Sequence, residues 1–75
     1  MEENIFRIAA DVLQLSEEEV KKNCKILSEI DGAYFWQSRR GGNAVIVNAK
    51  GEKLAATSAV SFEKHLAAFI AGKRN

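Results

Sequence analysis

Apolar residues recur at helical spacing at Ile5, Ile8, Ala9 and Val12, and Phe6 and Leu13 widen the stripe. That period predicts a first helix over residues 3–14. Ser16 followed three residues later by Glu19 reads as a capping box, in which each side chain can satisfy the other residue's free backbone N–H. Leu15 and Val20 flank the box as a hydrophobic staple. Glu17, Glu18 and Glu19 occupy the first turn, where the helix dipole favours anions. Val20, Cys24 and Leu27, with Ile30 near the end, extend one apolar stripe, while Glu17–Lys21 and Glu18–Lys22 pair on a solvated face. The pattern predicts a second helix over residues 17–30, stopped by Asp31-Gly32 with Gly32 left-handed. So short a link makes the two helices an antiparallel hairpin.

From Ala33 the period changes. Ala33-Tyr34-Phe35-Trp36-Gln37-Ser38 is rich in aromatics and predicts a strand over 33–38. Arg39-Arg40-Gly41-Gly42 reads as a turn, and residues 43–48, built on Ala44-Val45-Ile46-Val47, as a second strand. Asn48-Ala49-Lys50-Gly51 predicts a type I turn with Gly51 in the left-handed position, leading into a third strand over 53–58. Ser61 then caps a last helix over 62–71, with Phe62, Leu66, Phe69 and Ile70 as its apolar stripe, Gly72 as its stop and Lys73 and Arg74 at the negative end of its dipole. The fold class is α+β, in the order α-α-β-β-β-α, with the helices packed on a three-stranded antiparallel meander.

Turn geometry suggests a register. Pairing Asn48 with Glu52 sets Ile46 opposite Leu54 and Val45 opposite Ala55. Pairing Ser38 with Asn43 sets Phe35 opposite Ile46 and Trp36 opposite Val45. One face then holds Phe35, Ala44, Ile46, Leu54 and Ala56 and belongs under the helices. The other carries Tyr34, Trp36, Ser38, Val45, Val47, Lys53, Ala55 and Thr57. This face is too apolar for solvent and lacks the clean alternation of a wet sheet face. Three short helices leave it uncovered in this reading, so Tyr34, Trp36, Val45, Val47, Lys53 and Ala55 form an expected partner surface. In the competing arrangement the last helix crosses to this face and the helical hairpin covers the other.

Composition sharpens the picture. The chain has 75 residues, a net charge of +1 and 47% hydrophobic residues, which fits one small globular domain and excludes intrinsic disorder. A domain of this length buries only about 60% of its unfolded surface, and its single core supplies about 3–5 kcal/mol. Self-association is one remedy, so a homodimer is expected. Residues 1–31 hold eight acids against four bases and residues 32–75 seven bases against two acids. The bland account is that the two halves pack and neutralise each other. The longest apolar run, Leu66 to Ala71, is six residues, so no membrane span is expected. An acidic Met-Glu-Glu start without an apolar segment after it argues against a secretory signal and for a cytoplasmic location.

Little in the chain asks for catalysis. A single cysteine makes no internal disulfide, and Cys24 with His65 would be a nucleophile–base pair only if the fold joined them. Cys24 falls on a core stripe, and His65 flanks the apolar face of the last helix. A metal site needs more His or Cys ligands than these, and no cofactor is expected. Ser61-Phe62-Glu63-Lys64 contains Ser-x-x-Lys, but Ser61 is explained as a cap and the companion motifs of acyl enzymes are missing. A non-catalytic interaction module is therefore the leading reading, self-associating through its aromatic sheet face or an exposed strand edge, or docking another protein. The second is weak binding of single-stranded nucleic acid or another anion, with bases stacked on Tyr34 and Trp36 and the backbone tracked by Arg39, Arg40, Lys50 and Lys53. The low net charge and the lack of a known RNA-binding sheet motif count against it.

Two stretches resemble known families. Ile5-Phe6-Arg7-Ile8-Ala9-Ala10-Asp11-Val12-Leu13-Gln14-Leu15-Ser16-Glu17-Glu18-Glu19-Val20 resembles the first helix of acyl carrier proteins. The Asp-Ser-Leu attachment site of that family has no counterpart here, and the predicted strands contradict its all-helical fold, so carrier function is excluded. The stretch Ala44-Val45-Ile46-Val47-Asn48-Ala49-Lys50-Gly51-Glu52-Lys53-Leu54-Ala55-Ala56-Thr57-Ser58 is similar to strand pairs of roadblock-type dimerising modules. That likeness spans a fifth of the chain and is a hydrophobic hairpin, which does not establish membership.

Overall fold

Helix α1 (Glu3–Leu13) ends where Gln14 turns left-handed at φ 57°, and Leu15 N–H donates back to the Ala10 carbonyl at 3.0 Å. Ser16 Oγ then accepts from Glu19 N–H at 3.2 Å and starts α2 (Glu17–Lys22). The computed structural model describes residues 3–38, 42–57 and 59–74.

The second helix is shorter than its apolar stripe predicts. It stops after six residues, with Asn23 N–H donating to the Glu19 carbonyl. The chain continues as strand β1 (Cys24–Leu27) and a 3₁₀ turn (Ser28–Ile30). A helix would hold Cys24 and Leu27 on one side. In a strand, residues three apart point to opposite sides. Cys24 packs into the core beneath α1 and Leu27 into a second core beneath the last helix. The same apolar residues thus serve two layers. Asp31, not Gly32, takes the left-handed position (φ 53°, ψ 49°), which Asp tolerates better than most residues.

Gly32 instead opens β2 (Gly32–Trp36), which pairs with β1 and with β3 (Asn43–Asn48). With β4 (Lys53–Thr57) these make a four-stranded antiparallel sheet in the order β1-β2-β3-β4. The class is α+β as expected, with one more strand. The β3–β4 register follows the expectation, with Ile46 opposite Leu54 and Val45 opposite Ala55. The β2–β3 register differs from it by one residue: Tyr34 faces Ile46, Phe35 faces Val45 and Trp36 faces Ala44. Gln37 sets this register. Its N–H donates to the Asn43 carbonyl (2.9 Å), its Oε1 accepts from Asn43 N–H (2.7 Å), and its Nε2 donates to the Leu13 carbonyl (2.6 Å). One amide therefore locks the hairpin to the end of α1.

A one-residue slip exchanges the faces. Ala33, Phe35, Val45 and Val47 lie beneath α1 and α2, against Ile5, Ala9, Leu13 and Val20. Phe6 meets Phe35 edge-on at 5.6 Å between centroids. Helix α3 (Phe62–Ile70) covers the other face, where Phe69 packs on Leu27 and Ile46, with Leu54, Phe62 and Leu66 around them. Ser61 Oγ caps α3 by accepting from Lys64 N–H (3.3 Å). The competing arrangement is the one that forms, with helices on both faces of the sheet.

The β3–β4 turn has its own polar hub. Asn48 is buried, and its Oδ1 accepts from the N–H groups of Lys50 and Glu52, both at 3.0 Å. Gly51 supplies the positive φ of 87° that the turn requires. Asn48 Nδ2 donates to Glu52 Oε1 at 2.8 Å. That bond, aided by the charges of Arg74 and Lys50, holds the Glu52 carboxyl below the usual range. A lowered carboxyl pKa adds stability above its unfolded value, and that stability is lost as pH falls through the folded value. Glu52→Gln should therefore lower the urea midpoint at about pH 7, and the two proteins should converge near pH 2. Equal midpoints at both pH values would mean that the bond contributes nothing to the fold.

Candidate binding surface

Strand β2 carries Tyr34 and Trp36 to the α3 side of the sheet, at its uncovered end. Helix α3 begins at Phe62 and runs toward the β3–β4 turn, so it shelters Tyr34 better than Trp36. The Tyr34 ring meets Phe62 edge-on at 4.7 Å and His65 at 5.7 Å. Trp36 lies 5.7 Å from Tyr34 at an interplanar angle of 30°. Lys25, directly across from Tyr34 on β1, sets its ammonium 4.5 Å from the centre of the Phe62 ring. Both Tyr34 and Trp36 remain half-buried. Together with Ala44 and Val60 these residues line an open groove of about 530 Å³. Partial burial pushes the Tyr34 hydroxyl pKa up, so it stays a neutral phenol.

The rest of the expected partner surface lies elsewhere. Val45 and Val47 are fully buried beneath α1, Ala55 packs against the same core, and Lys53 pairs opposite Val47 on that side. The register slip accounts for all four. Lys50 is exposed in the β3–β4 turn. At about 3.3 Å per residue, the length of β3 places it roughly 17 Å from the Trp36 end. Arg39 and Arg40 lie outside the described residues. The cations expected to track a nucleic-acid backbone beside Tyr34 and Trp36 thus reduce, among the described residues, to Lys25, which that expectation did not include.

Cys24 and His65 are on opposite sides of the sheet. Burial pushes the Cys24 thiol pKa up, which disfavours the nucleophilic thiolate. His65 is only 2% exposed, deeper than a flanking position. Its Nε2 lies 2.6 Å from the Leu54 carbonyl, which can only accept, so Nε2 carries the proton and donates. Among the described residues, no cluster of three or more His, Cys, Asp or Glu is placed to hold a metal. No helix among them is long and apolar enough to cross a membrane.

A second surface is a strand edge, formed by a segment whose spacing predicts helix. β1 is an edge strand. Asn23 accepts from Trp36 N–H at 3.3 Å, so ladder alternation turns the backbone groups of Lys25 and Leu27 toward β2 and those of Cys24 and Ile26 outward. The Ile26 side chain is 56% exposed. The signal was the short Cys-Lys-Ile-Leu alternation, hidden within a longer helical stripe. No protein-family model, curated protein or solved structure matches this chain.

Proposed function

We propose that the protein is a small non-catalytic interaction module that self-associates through the open edge of β1. With Val45 and Val47 under α1, the aromatic face can no longer supply the broad self-docking patch. The observation that carries the reading is the exposed Ile26 at the centre of an edge whose backbone groups face outward.

Pairing rules narrow the geometry. Two antiparallel copies can match outward residues in three ways. Cys24 against Cys24 leaves Ile26 facing a helix end. Cys24 against Ile26 sets Lys25 directly opposite Lys25 of the second copy, an unfavourable like-charge pair. Ile26 against Ile26 buries both exposed side chains and places Lys25 beside Leu27 of the second copy. It also brings the basic flank, Lys21 and Lys22, toward the acidic flank, Glu29 and Asp31, of the other copy. All four flanking residues are exposed. The product is an isologous dimer with a continuous eight-stranded sheet.

Sedimentation equilibrium over about 1–500 μM tests this, since a four-residue strand pair implies modest affinity. Wild type should show a monomer–dimer equilibrium. Ile26→Lys should weaken it at least about tenfold, roughly 1.4 kcal/mol, with an unchanged urea midpoint. Lys22→Glu and Glu29→Lys should each weaken it, and the double variant should recover part of the loss. A strict monomer throughout, or a dimer indifferent to Ile26→Lys, would overturn the proposal.

A further inference from the structure

We infer that the groove over Tyr34, Trp36 and Phe62 is a binding site for a small, flat aromatic carboxylate. This goes beyond self-association and does not depend on it. The volume of about 530 Å³ is that of a small-molecule site. Its aromatic surfaces are arranged for a planar guest. Tyr34 and Trp36 are near-parallel, 5.7 Å apart and tilted by 30°, and Phe62 stands at 73° to Tyr34 as a wall. A guest ring parallel to Tyr34 meets the Phe62 wall edge-on, a favoured aromatic geometry.

Charge selects the anion. Among the described residues, Lys25 is the one cation that lines the groove. Its ammonium rests on the face of Phe62, and the one ion pair among the described residues is Arg74–Glu52, away from this site. A carboxylate on the guest would supply the missing counter-charge through a charge-assisted hydrogen bond. The neutral Tyr34 phenol at the same site is a further donor. Gln37 is spoken for, because both ends of its amide already hold the hairpin and α1 together.

The chain itself does not provide this guest. Its exposed large apolar side chains among the described residues are Ile26, Val60 and Ile70, none of them aromatic. A second copy therefore offers no fully exposed ring to insert. A nucleic-acid strand would need a basic track along the groove; among the described residues Lys25 is the one cation there and Lys50 and Lys53 stand elsewhere, while Arg39 and Arg40 lie outside those residues.

Amide and indole NMR spectra of the full chain, titrated with 2-naphthoate, test the assignment. Trp36 is the sole tryptophan, so its indole N–H gives one unambiguous signal at the site. The expected result is a saturable shift of that signal and of the Phe62 amide, with an apparent Kd at or below ~1 mM, in the range open to so small a ligand. The neutral 2-naphthamide should bind at least about fivefold more weakly, as loss of a charge-assisted contact implies. Lys25→Met should weaken 2-naphthoate by a similar factor and leave 2-naphthamide unchanged. Phe62→Leu should weaken both, and the remaining cross-peaks report whether each variant is folded. The inference is overturned if no saturable shift occurs up to ~10 mM, a limit far weaker than specific binding. It is also overturned if acid and amide bind alike, or if a mixed single-stranded oligonucleotide shifts the same signals at lower concentration than 2-naphthoate.

Discussion

Gly32→Ala is expected to remove a large part of the stability of the fold. A methyl group at this position would fall on the Val47 carbonyl oxygen and 2.7 Å from the Asn48 Cα, with the Val47 carbonyl carbon at 3.0 Å. All three atoms are backbone, so no side chain can swing aside. The strand that would have to move is β3, which carries the fully buried Val45, Ile46 and Val47 and ends in the Asn48 hub. Backbone shifts of this kind cost about 1–3 kcal/mol or more. That is comparable with the whole stability of a domain this small, about 3–5 kcal/mol. Far-UV circular dichroism and urea unfolding would read the effect. A Gly32→Ala protein with the wild-type midpoint would show that β2 and β3 can separate there without penalty, contrary to their close approach.

His65→Ala should be strongly destabilising although the residue is polar. The imidazole is buried, donates to the Leu54 carbonyl at 2.6 Å and meets the Tyr34 ring edge-on. Truncation removes a ring from the seam between helix and sheet and removes the hydrogen bond with it. Cavity formation and the lost bond together cost about 2–4 kcal/mol. Helix α3 has only nine residues and holds its face of the sheet through Phe62, His65, Leu66 and Phe69. Losing one of four anchors should loosen the helix before the rest of the fold. His65→Phe restores volume but not the donor, so its urea midpoint should fall between wild type and His65→Ala. A His65→Ala unfolding free energy within about 0.5 kcal/mol of wild type would remove His65 as a structural anchor.

These two effects rest on residues whose roles are set by partners distant in the sequence. Gly32 looks like a helix stop, because Asp-Gly after an apolar stripe commonly is one. Its actual constraint is the closeness of a strand that arrives fifteen residues later. His65 looks like a flanking polar residue because its hydrogen-bond acceptor, Leu54, is on another element. The groove was half legible. Tyr34 and Trp36 share a face in any strand, since they are two residues apart. Their companions were misassigned with the slip in register, so Val45 and Val47 were placed beside them in place of Ala44 and Ile46. Lys25 could not be placed at the groove while its segment was read as helix.

What could be read along the chain is everything set by neighbours within four or five residues. The Ser16 and Ser61 caps, the amphipathic stripe of α1, the stripe of α3 and the Asn48–Gly51 turn all depend on local hydrogen bonds and local periodicity. They form where the sequence places them. Three features depended on the assembled molecule: the strand at Cys24–Leu27, the pairing of β2 with β3, and the face taken by α3. Cys24 and Leu27 satisfy both a helical and an extended spacing, and only the open edge of β2 resolves the choice. The register turns on a Gln37 amide reaching the Leu13 carbonyl, twenty-four positions away. Side chains alternate across a strand, so the register, held at this end by Gln37 and favoured by burial of Val45 and Val47, decides which residues the core keeps and which the surface presents.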